Sequence, residues 1–103
     1  MKYALLRTDT FSDQLNDIIF YIVQDTGDVD TALSALDRIE QDVMRLAAFP
    51  NSGSLPRYAI LRRQGYRVLP VMRWLVFYKV DHSAQAVTLY AIADQRQEYM
   101  RLL

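Results

Sequence analysis

The sequence contains no cysteine and a single histidine, and both features exclude kinds of site. Without cysteine the chain can form neither a disulfide nor a thiolate metal site. His82 follows Asp81 in a predicted turn, where we expect a solvated loop residue, and one histidine provides no cluster of metal ligands. We therefore expect no metal and no other cofactor.

Glycine and long apolar runs are also scarce. The three glycines, at positions 27, 53 and 65, match no spacing of the loops that hold nucleotide phosphates. No apolar run approaches the ~20 residues needed to span a bilayer. Arg7 and Asp9 interrupt the first apolar residues before they reach the length of a signal peptide. We expect a soluble, cytoplasmic protein that makes no membrane contact.

Twelve basic and twelve acidic residues give a formal net charge of zero, but their distribution is uneven. Residues 1–42 carry nine acids and three bases, whereas residues 43–80 carry seven bases and no acid. Such asymmetry can mark a site for an anionic partner, although the two parts can equally neutralise each other across the fold. A solvated helix face accounts for the aspartates, and the serines have no base at a recognisable motif spacing.

The first half of the chain predicts one strand and two helices. Residues 2–7 form the strand, and Thr10 is predicted to cap the first helix, which Gly27 ends. Asp28 is predicted to cap the second helix, which cannot continue past Pro50. Apolar residues recur at helical spacing in both: Phe11, Leu15, Ile18, Ile19 and Ile22 in the first, and Leu36, Ile39, Val43 and Leu46 in the second.

The second half predicts three strands, over residues 66–71, 73–80 and 86–93, because these segments are rich in aromatic and β-branched side chains. Both faces of the middle segment are apolar, which indicates a central strand. Residues 95–103 predict a short last helix. The order β-α-α-β-β-β-(α) predicts an α+β fold, in which an antiparallel helical hairpin packs on a mainly antiparallel four-stranded sheet. The other sheet face is then left to the last residues or to a partner.

Three stretches, taken in order, resemble the RelE/ParE superfamily of bacterial toxins. They are the first strand with the helix over residues 11–22, residues 43–53 with the turn Phe49-Pro50-x-x-Gly53, and residues 65–80 followed by a strand and Asp94-Gln95-Arg96. The resemblance spans most of the chain and implies a single toxin domain over residues 1–103. It also implies a type II toxin–antitoxin module with a cognate antitoxin as partner.

Two activities are known in this superfamily. RelE-like members cleave messenger RNA on the ribosome, and ParE-like members inhibit DNA gyrase. RelE-like chains often carry an arginine near the apolar core of the third strand, where this sequence has Leu75 or, with a one-residue shift, Trp74. The apolar run over residues 74–78 is similar to ParE-like chains. The resemblance therefore favours a gyrase inhibitor that acts by binding rather than by catalysis.

The sequence leaves two other functions open. One is a ribosome-dependent mRNA endoribonuclease, in which Arg73, Arg96 and Tyr99 would stabilise the phosphate and transfer protons. The other is a family member that binds its partner but is no longer toxic. The candidate residues for binding a target or partner are Arg62, Arg63, Arg67, Arg73 and Arg96. The first four can meet nucleic acid or an acidic antitoxin, or can simply be solvated at a sheet edge.

Overall fold

A computed structural model of the chain describes residues 2–96. The elements in chain order are β1 (Ala4–Arg7), α1 (Asp9–Thr26), α2 (Val29–Met44), a 3₁₀ turn (Arg45–Ala47), α3 (Ala59–Arg63), β2 (Tyr66–Val71), β3 (Trp74–Asp81) and β4 (Ala86–Asp94). This order confirms the α+β prediction. Gln95 and Arg96 form a turn, and the rest of the predicted last helix lies outside the described residues.

The four strands form one sheet in the order β1-β4-β3-β2. The pair β1–β4 is parallel and the other two pairs are antiparallel, which confirms a mainly antiparallel sheet. As predicted from its two apolar faces, β3 is an interior strand, and Val76, Phe77 and Tyr78 on it are fully buried. Phe77 pairs with Ala91 whereas Tyr78 pairs with Leu89, so Tyr90 is an extra residue that forms a bulge in β4.

The predicted start of α1 is wrong by two residues. The helix begins at Asp9, and its N-cap is Thr8 rather than Thr10. The hydroxyl of Thr8 accepts a hydrogen bond from the backbone N–H of Phe11 at 3.1 Å and donates one to the carbonyl of Tyr90 at 3.0 Å. Thr8 is favoured as the N-cap because its hydroxyl pairs with a backbone N–H of the first helical turn and also with a carbonyl of β4.

The helical hairpin follows the sequence prediction closely. Gly27 ends α1 in the left-handed conformation (φ 68°), and the Asp28 carboxylate caps α2 by accepting from the backbone N–H of Asp30 at 3.0 Å. The α-helix stops at Met44, before the limit set by Pro50, and continues as the 3₁₀ turn. The apolar stripes of both helices and the inner sheet face form the main core, which includes Phe11, Leu15, Ile39, Val43, Leu46, Val76, Tyr78 and Leu89.

The outer face of the sheet has a cover that the sequence did not predict. The short helix α3 places Leu61 in a second buried cluster with Val68, Phe77 and Ala91. The expectation that only the last residues or a partner would cover this face was therefore wrong. A helix of five residues has too few positions for a recognisable periodicity.

The strand β3 begins at Trp74, one residue later than predicted. Met72 and Arg73 form the turn between β2 and β3, and Met72 adopts a left-handed φ of 52°. Arg73 therefore lies in the turn and not on the strand, where the prediction over residues 73–80 placed it. Its side chain leaves the end of the sheet, where it reaches the last residue of β4.

Candidate functional site

A cleft of about 670 Å³ opens between α1 and the ends of β3 and β4. It exists because β1 pairs with β4 only as far as Leu89, whereas β4 continues to Asp94. Along this extension α1 takes the place of a strand, and the side-chain carbonyl of Gln14 accepts a hydrogen bond from the backbone N–H of Ile92 at 2.9 Å. The lining residues are Gln14, Asp17, Ile18, Tyr21, Arg73, Trp74, Ile92, Ala93, Asp94 and Arg96.

Three charged residues meet on the sheet side of the cleft. The guanidinium of Arg73 donates to one oxygen of Asp94 from Nε at 3.0 Å and from Nη2 at 2.6 Å. Arg96 donates to the other oxygen from its backbone N–H at 2.9 Å and from Nε at 3.4 Å. The N–H of Arg96 and then the guanidinium of Arg73 lower the pKa of Asp94 from 3.8 to about 2.

The helical side of the cleft carries acidic and aromatic groups. Asp17 and Tyr21 lie one turn apart on α1 and are both exposed. The hydrogen bond and charge of Asp94 raise the pKa of Arg73, and Tyr21 and Asp25 raise it further. Asp25 on α1 is therefore close enough to act electrostatically on Arg73 across the cleft.

The structure brings together two of the predicted binding residues, Arg73 and Arg96, and places the other three elsewhere. Arg62 donates from Nη1 to the carbonyls of Pro56 and Arg57 at 2.8 and 2.9 Å. Its role in the structure is to hold the loop before α3 against the helix.

Arg67 acts in a similar way at the edge of β2. Its Nη2 donates to the carbonyls of Asn51 and Gly53 at 3.0 and 2.7 Å. Arg63 is exposed, and its side chain makes no ion pair or hydrogen bond with a residue of the described segment. Tyr99, the third candidate for catalysis, lies outside residues 2–96.

Sequence reasoning missed Asp94 as a site residue, together with Gln14, Asp17 and Tyr21. Asp94 had been noted only as part of the Asp94-Gln95-Arg96 stretch, and it is 21 residues from Arg73. A usable signal was present, because the ends of two strands joined by a predicted turn must lie together. Gln14 gave no signal, since a glutamine on a helix is ordinarily solvated.

The remaining candidates for chemistry lie apart from the cleft. The exposed His82 accepts or donates a hydrogen bond at 2.8 Å between its Nδ1 and the hydroxyl of Tyr3, at the turn that follows β3. Within residues 2–96, no three histidine, cysteine or carboxylate side chains converge to hold a metal ion. Among the described helices, none is both long enough and apolar enough to cross a membrane.

The sequence matches a family model over residues 5–99, and the family is described as the ParE toxin of the type II toxin–antitoxin system parDE. The chain belongs to the ParE toxin family. The match covers all eight elements of the fold except the first residue of β1. No curated protein matches the chain.

Two solved structures show that this ParE-family chain also has the fold of known toxin–antitoxin proteins. A chain of the chromosomal ParDE system of P. aeruginosa superposes with a TM-score of 0.74 at 20% identity, covering 90% of this chain and 96% of that one. A chain of the RelBE2 complex of Mycobacterium tuberculosis gives a TM-score of 0.63 at 14% identity, covering 92% and 100%. At these identities the likeness establishes the fold of the RelE/ParE superfamily.

Proposed function

We propose that this ParE-family chain is a cytoplasmic toxin that inhibits DNA gyrase by binding to it, and that a cognate antitoxin neutralises it. We favour binding over catalysis because both cleft arginines, Arg73 and Arg96, are paired with Asp94. Each guanidinium that could meet a phosphate already donates to a carboxylate. A phosphodiester would have to compete with that carboxylate for the positive charge.

The protonation of the cleft also favours binding. Cleavage of RNA requires a group that accepts a proton and a group that donates one, each with a pKa near the working pH. With a pKa of about 2, Asp94 is ionised at neutral pH and is too weak a base to accept a proton. No histidine lines the described walls of the cleft. At the strand position where RelE-like chains carry an arginine, this chain has the half-buried Leu75 or the buried Trp74.

The cleft is also the proposed site for the antitoxin. Its floor is apolar, with Ile18, Trp74 and Ile92, and its length along α1 suits a helix or an extended segment of a partner. Occupation of this cleft would cover Arg73 and Arg96 together. The antitoxin would in this way block the surface through which, in this proposal, the toxin contacts gyrase.

The test is plasmid supercoiling by purified DNA gyrase with increasing amounts of this protein and without antitoxin. We expect supercoiling to be inhibited, with cleaved DNA trapped on the enzyme. Heat-denatured protein serves as the control for nonspecific effects. If a folded sample leaves supercoiling unchanged while messages are cut in a ribosome-containing translation extract, the gyrase proposal fails and the endoribonuclease takes its place.

A further inference from the structure

Helix α1 carries four aspartates and no lysine or arginine in its 18 residues. Asp9 lies in the first turn, where the positive end of the helix dipole stabilises it. Asp13, Asp17 and Asp25 lie further along, are exposed, and make no ion pair with any described residue. The helical wall of the cleft therefore carries negative charge that is not held in any ion pair within residues 2–96.

The opposite wall does not neutralise α1. The two cleft arginines face it, but both are bonded to Asp94, which offsets one of their two charges. Of the charged residues that line the cleft, Asp17 and Asp94 balance Arg73 and Arg96. Asp13 precedes the lining residue Gln14, and Asp25 lies one helical turn beyond the lining residue Tyr21, so these two unpaired aspartates give this side of α1 an excess of negative charge.

The floor between these walls is apolar, and we infer that the cleft takes an amphipathic segment with basic residues along one edge. The segment belongs to the antitoxin, so this inference rests on the proposed function and specifies its partner. Apolar side chains of the segment lie on Ile18, Trp74 and Ile92, and its lysines or arginines face Asp17 and Asp25. Opposite charges along this edge fix the orientation of the segment and speed its association.

An acidic segment would meet a different environment. Placed on the same apolar floor, it would bring carboxylates next to Asp13, Asp17 and Asp25, and like charges in an interface are costly. The six bases of residues 43–80 outside the cleft lie on the 3₁₀ turn, the loop before α3, α3, β2 and β3, and none of them lines the cleft. The charge of the cleft thus selects against the acidic partner that the basic middle of the sequence alone would suggest.

The single tryptophan of the chain, Trp74, lines the cleft and gives a readout that needs no toxin activity. Two synthetic amphipathic helical peptides are compared, with identical leucine positions and with either lysine or glutamate at the polar positions. We expect the lysine peptide to change the Trp74 emission in a saturable manner, and more weakly as salt is added. We expect the glutamate peptide to leave the emission unchanged at the same concentrations.

Neutral variants locate the binding. Asp17→Asn and Asp25→Asn should each weaken the lysine peptide by roughly twofold to fivefold, the range for exposed ion pairs. Asp37→Asn removes an exposed charge from α2, outside the cleft, and serves as the matched control that leaves the affinity unchanged. Circular dichroism of each variant confirms that the helices are retained.

Three outcomes would overturn the inference: equal or tighter binding of the glutamate peptide, no response of Trp74 to the lysine peptide, or equal weakening by Asp37→Asn. These outcomes leave the gyrase proposal standing, because supercoiling is measured separately. Conversely, a chain without effect on gyrase can still bind the lysine peptide, so the two failures are distinguishable.

Discussion

The guanidinium of Arg73 and the carboxylate of Asp94 are joined by two hydrogen bonds, of 3.0 and 2.6 Å, across 21 residues of sequence. The pair connects the β2–β3 turn to the end of β4, on the sheet side of the cleft. Trp74 lies directly opposite Asp94 in the sheet register, and the guanidinium carbon of Arg73 lies 5.6 Å from the centroid of the Trp74 ring.

The depressed pKa of Asp94 predicts a pH dependence of stability. A carboxylate whose folded-state pKa is about 2 instead of 3.8 stabilises the fold above about pH 4, and this contribution is lost as the pH falls toward 2. We expect about 1 kcal/mol, since Arg73 and Arg96 are 53% and 82% exposed and solvent screens the pair. Urea unfolding at a series of pH values measures it.

The stability of Asp94→Asn should lack the decrease between about pH 4 and pH 2 that comes from Asp94, whereas the stability of Asp37→Asn should still show it. The two variants remove the same charge, but only the first removes a carboxylate bonded to two arginines. An unchanged profile in Asp94→Asn would mean that other carboxylates account for the acid lability.

The helix cap gives a second prediction, with two neighbouring threonines as variant and control. Thr8→Ala removes the cap of α1 and the hydrogen bond to Tyr90, and should lower the free energy of unfolding by about 1–2 kcal/mol. Thr10→Ala changes an exposed residue within the first turn and should change it by less than about 0.5 kcal/mol. Thermal unfolding of both variants measures these changes. A larger loss of stability for Thr10→Ala than for Thr8→Ala would contradict the observed cap.

The buried hydroxyl of Tyr78 gives a third prediction. It accepts a hydrogen bond from the backbone N–H of Gly53 at 3.0 Å and donates one to the carbonyl of Pro50 at 2.9 Å. Tyr78→Phe leaves both backbone groups without this partner and should cost about 1–3 kcal/mol in denaturant unfolding. A cost near zero would show that the loop finds other partners.

A substitution at Gly53 tests the same contact between the loop and the hydroxyl of Tyr78. A Cβ atom at this position would lie 2.6 Å from both the hydroxyl oxygen of Tyr78 and the carbonyl oxygen of Val68. Gly53→Ala should therefore cost about 1–3 kcal/mol through overpacking. Since Tyr78→Phe removes one of the two clashing atoms, the double variant should lose less than the sum of the single variants.

The cleft arginines give the prediction for function. Under the proposed function, Arg73→Ala and Arg96→Ala should each weaken inhibition of gyrase supercoiling about tenfold, the loss of one favourable charged contact in an interface. Arg63→Ala removes an exposed arginine of α3 that does not line the cleft, and it serves as the matched control. Equal effects of all three variants would point to overall charge rather than to the cleft.

A double variant tests the alternative activity. If the chain cleaves messages on ribosomes, replacing Arg96 and Tyr99 together with alanine should abolish the cleavage and leave the fold intact. We expect no cleavage from the unsubstituted protein. Cleavage that the double variant loses would show that these groups act on RNA.

Much of the fold could be predicted from the sequence because the signals are local. Gly27 and Asp28 mark the hairpin turn by their own conformational and capping preferences, and the apolar spacing around Ile39 and Val43 sets the buried face of α2. Local preference does not distinguish Thr8 from Thr10, since both can cap a helix. The choice depends on the carbonyl of Tyr90, which lies 82 residues away from Thr8.

The site was harder to predict because it depends on the register between strands. Counting back from the β3–β4 turn, where Val80 pairs with Val87, would place Ala93 opposite Trp74. The bulge at Tyr90 shifts the register by one residue and brings Asp94 there instead. No local preference of Tyr90 indicates a bulge, so the sequence places Asp94 near the start of β3 but not directly opposite Trp74.

The parallel pair of β1 and β4 has a consequence for how the protein is made. Among the strands of residues 2–96, the first pairs with the last, Ala4 with Ala86 and Arg7 with Leu89. While the chain is being translated, the hairpins β2–β3 and β3–β4 can close over short distances, but β1 has no neighbour until β4 leaves the ribosome. One wall of the cleft comes from α1 and the other from the ends of β3 and β4, so a nascent chain has no complete cleft until β4 has been made.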